Sequence, residues 1–216
     1  MGGFFSSNNI LFRMTERILD VCVLSLMWLV CSFPVLTVVP ASSALYYSCV
    51  KCLRRGERGP YVNFLQAFRD NMKTGIGASA VFAALGLLLV WFNFMLGQLA
   101  PLTARIAYLI IMLLPAGMLS IACAALSRFN CTVGSLLRDA AQLTIRHLPR
   151  VLAAAALNVL TVLTCIKYMF FMVWIFLPAV DALLVSLLLE PVLKKYTPME
   201  EGLEDLPKEE WPWYLR

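Results

Sequence analysis

Apolar residues run almost unbroken through residues 18–39, 75–97, 104–126, 151–166 and 168–189, and the polar stretches between them carry most of the arginines and lysines. An α-helix rises about 1.5 Å per residue, so segments of this order cross the roughly 30 Å hydrocarbon core of a bilayer. No water is present there to satisfy peptide groups, so such segments must close their own hydrogen bonds as helices. The short alternating segments of a membrane barrel are missing from the sequence. The pattern predicts an all-α fold, a polytopic transmembrane helical bundle.

The count of crossings turns on residues 18–53, where Pro34 and Pro40 interrupt the apolar run and Ala41 to Leu53 can continue as helix. If the chain reverses near Ser32 to Pro34, six crossings form three hairpins. Of the 18 lysines and arginines, only Arg105 and Lys167 then fall outside. If residues 18–53 make a single crossing, five passes result, and Arg13 and Arg17 also move outside. The excess of basic residues on cytoplasmic loops favours six, and both versions leave the C-terminus in the cytoplasm. Arg13 and Arg17 before an apolar run, with Ser42-Ser43-Ala44 after it, have the outline of a cleavable secretory leader. The run is too long for one, and the first helix is read as a retained anchor.

Two polar connections are themselves patterned. Tyr61, Phe64, Leu65, Phe68 and Met72 recur every three or four residues while Arg69, Asp70 and Lys73 fall elsewhere, which predicts an amphipathic helix at the cytoplasmic interface. Val133, Leu136, Leu137, Ala140, Ala141, Leu143 and Leu148, interleaved with Arg138, Asp139, Gln142, Arg146 and Arg150, predict a second. Phe64, Phe68, Arg69, Lys73, Arg138, Arg146 and Arg150 are the candidate contacts of these helices with a partner or the membrane surface. Ala67 to Lys73 set beside Thr144 to Arg150 share an apolar-Arg-polar core and a final basic residue, the mark of an internally repeated unit. Stripes of small residues, Gly75, Ser79 and Ala83, and Ala116, Ser120 and Ala124, predict close helix contacts.

Composition sharpens this picture. The chain of 216 residues is 61% hydrophobic and only 14% charged, against about a quarter charged in soluble domains. Its mean hydropathy is +0.78. The net charge of +5 is dispersed at helix ends, so it reads as membrane orientation and not as a nucleic-acid surface. Residues 1–196 form one membrane domain. Residues 197–216 form an acidic cytoplasmic tail ending in Trp211-Pro212-Trp213-Tyr214, which reads as solvated.

Chemistry is sparse. Asp181 sits near the middle of the last apolar run, where an ionised carboxylate costs roughly 2.5–3.5 kcal/mol on the lenient insertion scale. Pro178, one turn earlier, offers a local break through which water or a neighbouring helix reaches it. Asp181, with Asn158, is the candidate substrate or proton site. The seven cysteines read as small buried hydrophobes, and Cys49 and Cys52 lack the second pair that a zinc site needs. His147 has no accompanying nucleophile pattern, and no phosphate-binding glycine loop is found. No catalytic residues, metal ligands or cofactors are therefore assigned, and the chain is read as no enzyme.

Trp28-Leu29-Val30-Cys31-Ser32-Phe33-Pro34-Val35-Leu36-Thr37, then Ala44-Leu45-Tyr46-Tyr47, resemble the opening of the YesL-like family of bacterial integral membrane proteins. Leu177-Pro178-Ala179 through Glu190-Pro191-Val192 to Lys195-Tyr196 resemble its ending, and the resemblance runs in order over nearly the whole chain. It implies a multi-pass bacterial plasma-membrane protein with no catalytic residues to transfer. Family members are often encoded near carbohydrate-uptake and sensor-kinase systems, which implies sugar-importer subunits or a membrane sensor as partners; the lipid bilayer is the partner the apolar runs require, and a second copy of the chain goes with a transporter reading. The chain departs from the family at Val39 and Pro40, where glycine is expected, and near Val185, where a polar residue is expected and Asp181 lies one turn away. Three functions are weighed on this sequence: a noncatalytic accessory to carbohydrate uptake or its regulation, a small secondary transporter or channel using Asp181, and an intramembrane enzyme or redox protein using Cys49 and Cys52, which lacks partner residues.

Overall fold

The computed structural model describes residues 10–54, 56, 59–99, 101–129, 131–168 and 171–196, and among these there is helix and no strand. The acidic tail lies outside the described residues. Eight helices follow in order: α1 (Ile10–Ser32), α2 (Val38–Ser48), α3 (Pro60–Asp70), α4 (Met72–Leu99), α5 (Leu102–Leu126), α6 (Val133–Arg146), α7 (Leu148–Lys167) and α8 (Phe171–Tyr196). A 3-10 turn, Val35–Thr37, leads into α2, and a π-helical turn, Cys49–Arg54, continues it.

Residues 18–53 do not form one continuous helix. The chain turns after Ser32, where the Thr37 hydroxyl closes the turn against the carbonyls of Cys31 at 2.6 Å and Pro34 at 2.7 Å. α2 then packs back along α1, with Leu24 against Leu45 and Cys49 in one buried cluster and Trp28 Nε1 donating to Ser42 Oγ at 3.1 Å. Among the described residues four segments are long and apolar enough to cross a membrane: Val35–Arg54, Met72–Met95, Leu148–Lys167 and Trp174–Tyr196. Ile111–Leu126 in α5 is apolar but shorter, and α1 carries Glu16, Arg17 and Asp20 in its first turns. Large side chains such as Phe33, Leu87, Trp91 and Leu163 face outward from the bundle, a surface suited to lipid and not to water.

α2 is the hub. Val39, Tyr46 and Val50 join one core with α5, α6, α7 and α8, while Ala44, Leu45 and Cys49 join another with α1, α3 and Ala179 of α8. Its first turn leaves orphan N–H groups, and one of these, Val39 N–H, is taken up by Ser79 Oγ of α4 at 3.1 Å.

The two amphipathic helices form at the expected places with different causes. Gly56 and Gly59 take left-handed φ values of 79° and 82°, which glycine alone adopts at no steric cost. They swing the chain into α3, which begins on Pro60 with its φ already helical. α6 starts from a capping box, with Thr132 Oγ1 accepting Ser135 N–H and Ser135 Oγ accepting Thr132 N–H. Pro149 cannot donate to Ile145, so α6 and α7 part at His147. α3 and α4 part at Asn71, with no proline at the break.

The two segments that align in sequence each lie between longer helices, and their helix breaks fall one residue out of the sequence alignment. If the breaks at Asn71 and His147 are set level, Asp70, not Arg69, stands opposite Arg146, and Met72 stands opposite Leu148. In order of elements, α3 lies between α2 and α4 as α6 lies between α5 and α7. Close helix approaches occur at Gly75 of α4 against the Pro40 ring of α2 and at Gly117 of α5 against Val151 of α7. The buried faces of the amphipathic helices are also rotated. Phe64 and Ala67 are buried on α3, and Leu136, Ala140 and Thr144 on α6, while Tyr61, Leu65 and Leu148 are exposed.

Candidate functional site

Asp181 lies on α8 beside α7, where it accepts a hydrogen bond from Thr161 Oγ1 at 2.9 Å. It is partly exposed, and no break opens at Pro178. α8 runs through both Pro178 and Pro191 as one helix. Ser25 Oγ of α1 takes the N–H of Ala179 at 3.1 Å, and the Cys49 thiol donates to the Ala179 carbonyl at 3.8 Å. Neighbouring helices thus satisfy the backbone around the proline, the usual way proline is tolerated in such helices. The expected water-accessible break is corrected to a sealed helix contact. Asn158 does not join Asp181. Its amide donates to Ser120 Oγ of α5 at 3.1 Å and to Ala154 O at 2.8 Å, tying α7 to α5.

A more enclosed charged group was not read from the sequence. Arg128, just past α5, pairs with Glu190 of α8, and the two side chains are 0% and 4% exposed. Tyr46 of α2 donates its hydroxyl to Glu190 Oε1 at 3.4 Å, and Arg54 Nη1 reaches the Ser186 carbonyl at 3.4 Å. Taking two charges out of water costs several kcal/mol each unless the pairing is close, so this cluster is an expensive feature of the bundle. The sequence holds only a weak signal for it. Arg128 and Glu190 each end an apolar run, which reads as an interface position, and their pairing across 62 residues follows from the packing of α5 on α8.

Beside the pair lies a polar cleft of about 120 Å³, lined by Tyr47, Gln66, Asp70, Asn71, Ser127 and Arg128. It opens where α3 meets the end of α5. Lys51 stands next to it, donating to Tyr47 Oη at 3.0 Å and to Asn63 Oδ1 at 3.1 Å. Cys49 and Cys52 are buried in the π-helical turn, and Asn63 Nδ2 approaches Cys52 Sγ at 3.3 Å. Both are packed and hydrogen-bonded as structural thiols are.

α3, α6, the start of α1 and the end of α8 share one end of the bundle. Tyr61 of α3 donates to Asp20 of α1 at 2.7 Å, and this contact holds the phenol above its usual pKa range. His147 Nε2 meets Tyr196 Oη at 3.2 Å. This end carries Arg17, Lys51, Arg54, Arg69, Lys73, Arg128, Arg138, Arg146, Arg150, Lys194 and Lys195. Of the expected contact residues, Arg69, Lys73, Arg138, Arg146 and Arg150 are exposed there, Phe68 is half-buried stacked on Phe64, and Phe64 is fully buried.

A second depression, about 370 Å³, lies between the end of α5, α6 and the last residue of α8. Its floor is apolar, from Ala125, Phe129, Leu136 and Leu143, and Cys131 lines it. Partial burial and, less strongly, Asp139 push the Cys131 thiol above its usual range.

No curated protein and no solved structure matches the chain. Residues 21–94 match the model of a family described as "Protein of unknown function, DUF624", a stretch that begins within α1, takes in α2 and α3, and ends within α4.

Proposed function

We propose that the chain is a noncatalytic plasma-membrane accessory to carbohydrate uptake or its regulation, a YesL-like protein with six crossings and both ends in the cytoplasm. The carrying observation is the platform at the basic end. α3 and α6 are each pinned to the bundle by buried residues, Phe64 and Ala67 on one and Leu136 and Ala140 on the other. Each turns outward a face of mixed apolar and basic residues, Val62, Leu65 and Arg69, and Arg138, Ile145 and Arg146. A rigid amphipathic face of this kind suits docking on a neighbouring protein at the membrane surface. The match over residues 21–94 includes α3 and supports the family resemblance. The carbohydrate assignment rests on that resemblance, and sugar-importer subunits or a membrane sensor are the partners it implies.

Six crossings are supported by parity. Asp20 near the start of α1 and Tyr196 at the end of α8 stand at the same end of the bundle, which an even number of crossings requires. That end carries the basic residues, so it belongs in the cytoplasm. A cysteine placed at Ser7 should resist a membrane-impermeant maleimide added to intact cells and react once the membrane is opened. Labelling in intact cells would overturn the topology.

The experiment for the function is crosslinking in the native membrane followed by purification of the tagged chain. Importer or sensor subunits should be recovered, and Val62→Glu with Ile145→Glu should reduce their yield at least tenfold while the level of the chain itself is unchanged. A second reading, a small transporter, is favoured by Asp181 at the α7–α8 contact and by the enclosed Arg128–Glu190 pair. For that reading, the purified chain alone should move a substrate across liposomes, and Asp181→Asn should abolish the flux. Flux of this kind would overturn the accessory role.

A further inference from the structure

We propose that the place where the break between α6 and α7 meets α8 is a binding site for an anionic phospholipid with two phosphates, of the cardiolipin type. One contact assembles it. His147, in the break, meets Tyr196 Oη through Nε2 at 3.2 Å, and the two rings lie edge to face with centroids 5.6 Å apart. This joins residues 146–150 to residues 194–196, and each stretch brings two cations, Arg146 and Arg150 from one and Lys194 and Lys195 from the other.

All four cations are exposed, and among the described residues none of them is ion-paired. Arg146 is already oriented, with its guanidinium 6.0 Å over the Tyr196 ring, a cation–π arrangement that leaves the edge N–H groups of the fork to take a phosphate. Neither stretch holds a carboxylate. Glu190, one turn before Lys194, is turned inward to Arg128, and Asp139 stands two turns before Arg146 on α6. Four cations match two phosphodiesters at two positive charges each, whereas a lipid with one phosphate would leave most of this charge unneutralised.

Depth favours a lipid over a soluble anion. The apolar span of α7 runs from Leu148 to Lys167, 20 residues, a rise of about 30 Å that equals the hydrocarbon thickness. Leu148 therefore stands at the boundary between acyl chains and headgroups. Arg150, two residues into the span, reaches the same level by extending its side chain toward the interface. Leu148 is itself exposed, which offers an acyl chain an apolar contact beside the cations. The inference needs only that the bundle spans a bilayer, so it stands or falls apart from the accessory role.

The test is the affinity of the purified full chain for cardiolipin in a neutral detergent, read by native mass spectrometry across a lipid titration. Cardiolipin should bind about tenfold tighter than phosphatidylglycerol, and phosphatidylcholine more weakly still. A basic residue near a phosphate is worth about fivefold in affinity, so Arg146→Gln/Arg150→Gln/Lys194→Gln/Lys195→Gln should weaken cardiolipin binding by roughly a hundredfold or more. Removing equal charge from exposed cations elsewhere, as Arg17→Gln/Arg69→Gln/Lys73→Gln/Arg138→Gln, should weaken it by less than about threefold. If the first set fails to fold, the milder Arg150→Gln/Lys194→Gln should still cost about twentyfold. Equal losses in the two sets, or equal affinity for cardiolipin and phosphatidylglycerol, would overturn the proposal. So would displacement of cardiolipin by glycerol phosphate at equal phosphate concentration, because the site would then hold the phosphate without the lipid.

Discussion

Glu190→Ala should lower the stability of the purified protein by about 3–5 kcal/mol, because it removes the carboxylate that pairs with the Arg128 guanidinium, whose side chain is fully enclosed. The measurement is the midpoint of thermal unfolding in mild detergent, followed by size-exclusion elution. Arg128→Ala should be equally damaging for the opposite reason, because it takes the guanidinium away from an enclosed carboxylate. The informative variant is the double one. Arg128→Met with Glu190→Leu fills similar volume without charge and should recover most of the loss, since a buried pair is worth little against a well-packed apolar replacement. If the double variant folds normally yet abolishes recovery of partners or transport, the pair serves function. If Glu190→Ala alone is harmless, the enclosure of the pair is wrong.

The second large effect is at Gly117. A methyl group there would lie on Val151 Cγ1 and 3.1 Å from the Val151 carbonyl oxygen, so α5 and α7 would have to separate. Overpacking of this sort costs about 1–3 kcal/mol, and the same midpoint assay should show it for Gly117→Ala. Val151→Ala removes the obstructing group and should rescue Gly117→Ala while being mildly destabilising alone. The corresponding Gly75→Ala presses on the rigid Pro40 ring at 2.7 Å, and no rotamer change is open to proline, so its cost should equal or exceed that at Gly117. Equal midpoints for the unaltered chain and Gly117→Ala would remove the argument that close backbone approach sets the spacing of the bundle.

What the sequence revealed and what it hid divide along a physical line. Helix identity, the reversal near Ser32 and the two amphipathic helices were legible because each depends on residues close in the chain, such as the periodicity around Phe64 or the interruption at Pro34. The small-residue stripes were legible too. Gly75 and Ser79 meet Pro40 and Val39, and Ser120 takes Asn158, as close-packed faces should. The details of facing were less so. Phe64 was placed on the apolar side and is buried, yet Tyr61 and Leu65 beside it face out, since a stripe three residues wide does not say where its centre meets the bundle.

The candidate site was the least legible. Asp181 drew notice as a lone carboxylate in an apolar run, and its partner Thr161 lies 20 residues away across a hairpin. Glu190 looked like an interface residue because Pro191 and two lysines follow it. Only the packing of α8 against the end of α5 turns it inward to Arg128. Pro178 suggested an opening, but the hydroxyl that seals it belongs to Ser25, far off in sequence. Single-residue signals mark where polarity is costly, and tertiary partners decide what that polarity does.

The enclosure of α2 bears on how the protein is made. Val35–Arg54 is the least apolar of the four spans and the most enveloped by the rest of the chain, and the hydroxyls of Ser43 and Ser48 are buried within it without a hydrogen-bond partner. Facing acyl chains by itself, such a segment would gain little from partitioning. During synthesis α2 would therefore wait beside the translocon, held by α1, until α4 and α5 emerge to shield it, and the hairpin turn after Ser32 is the joint that lets it do so.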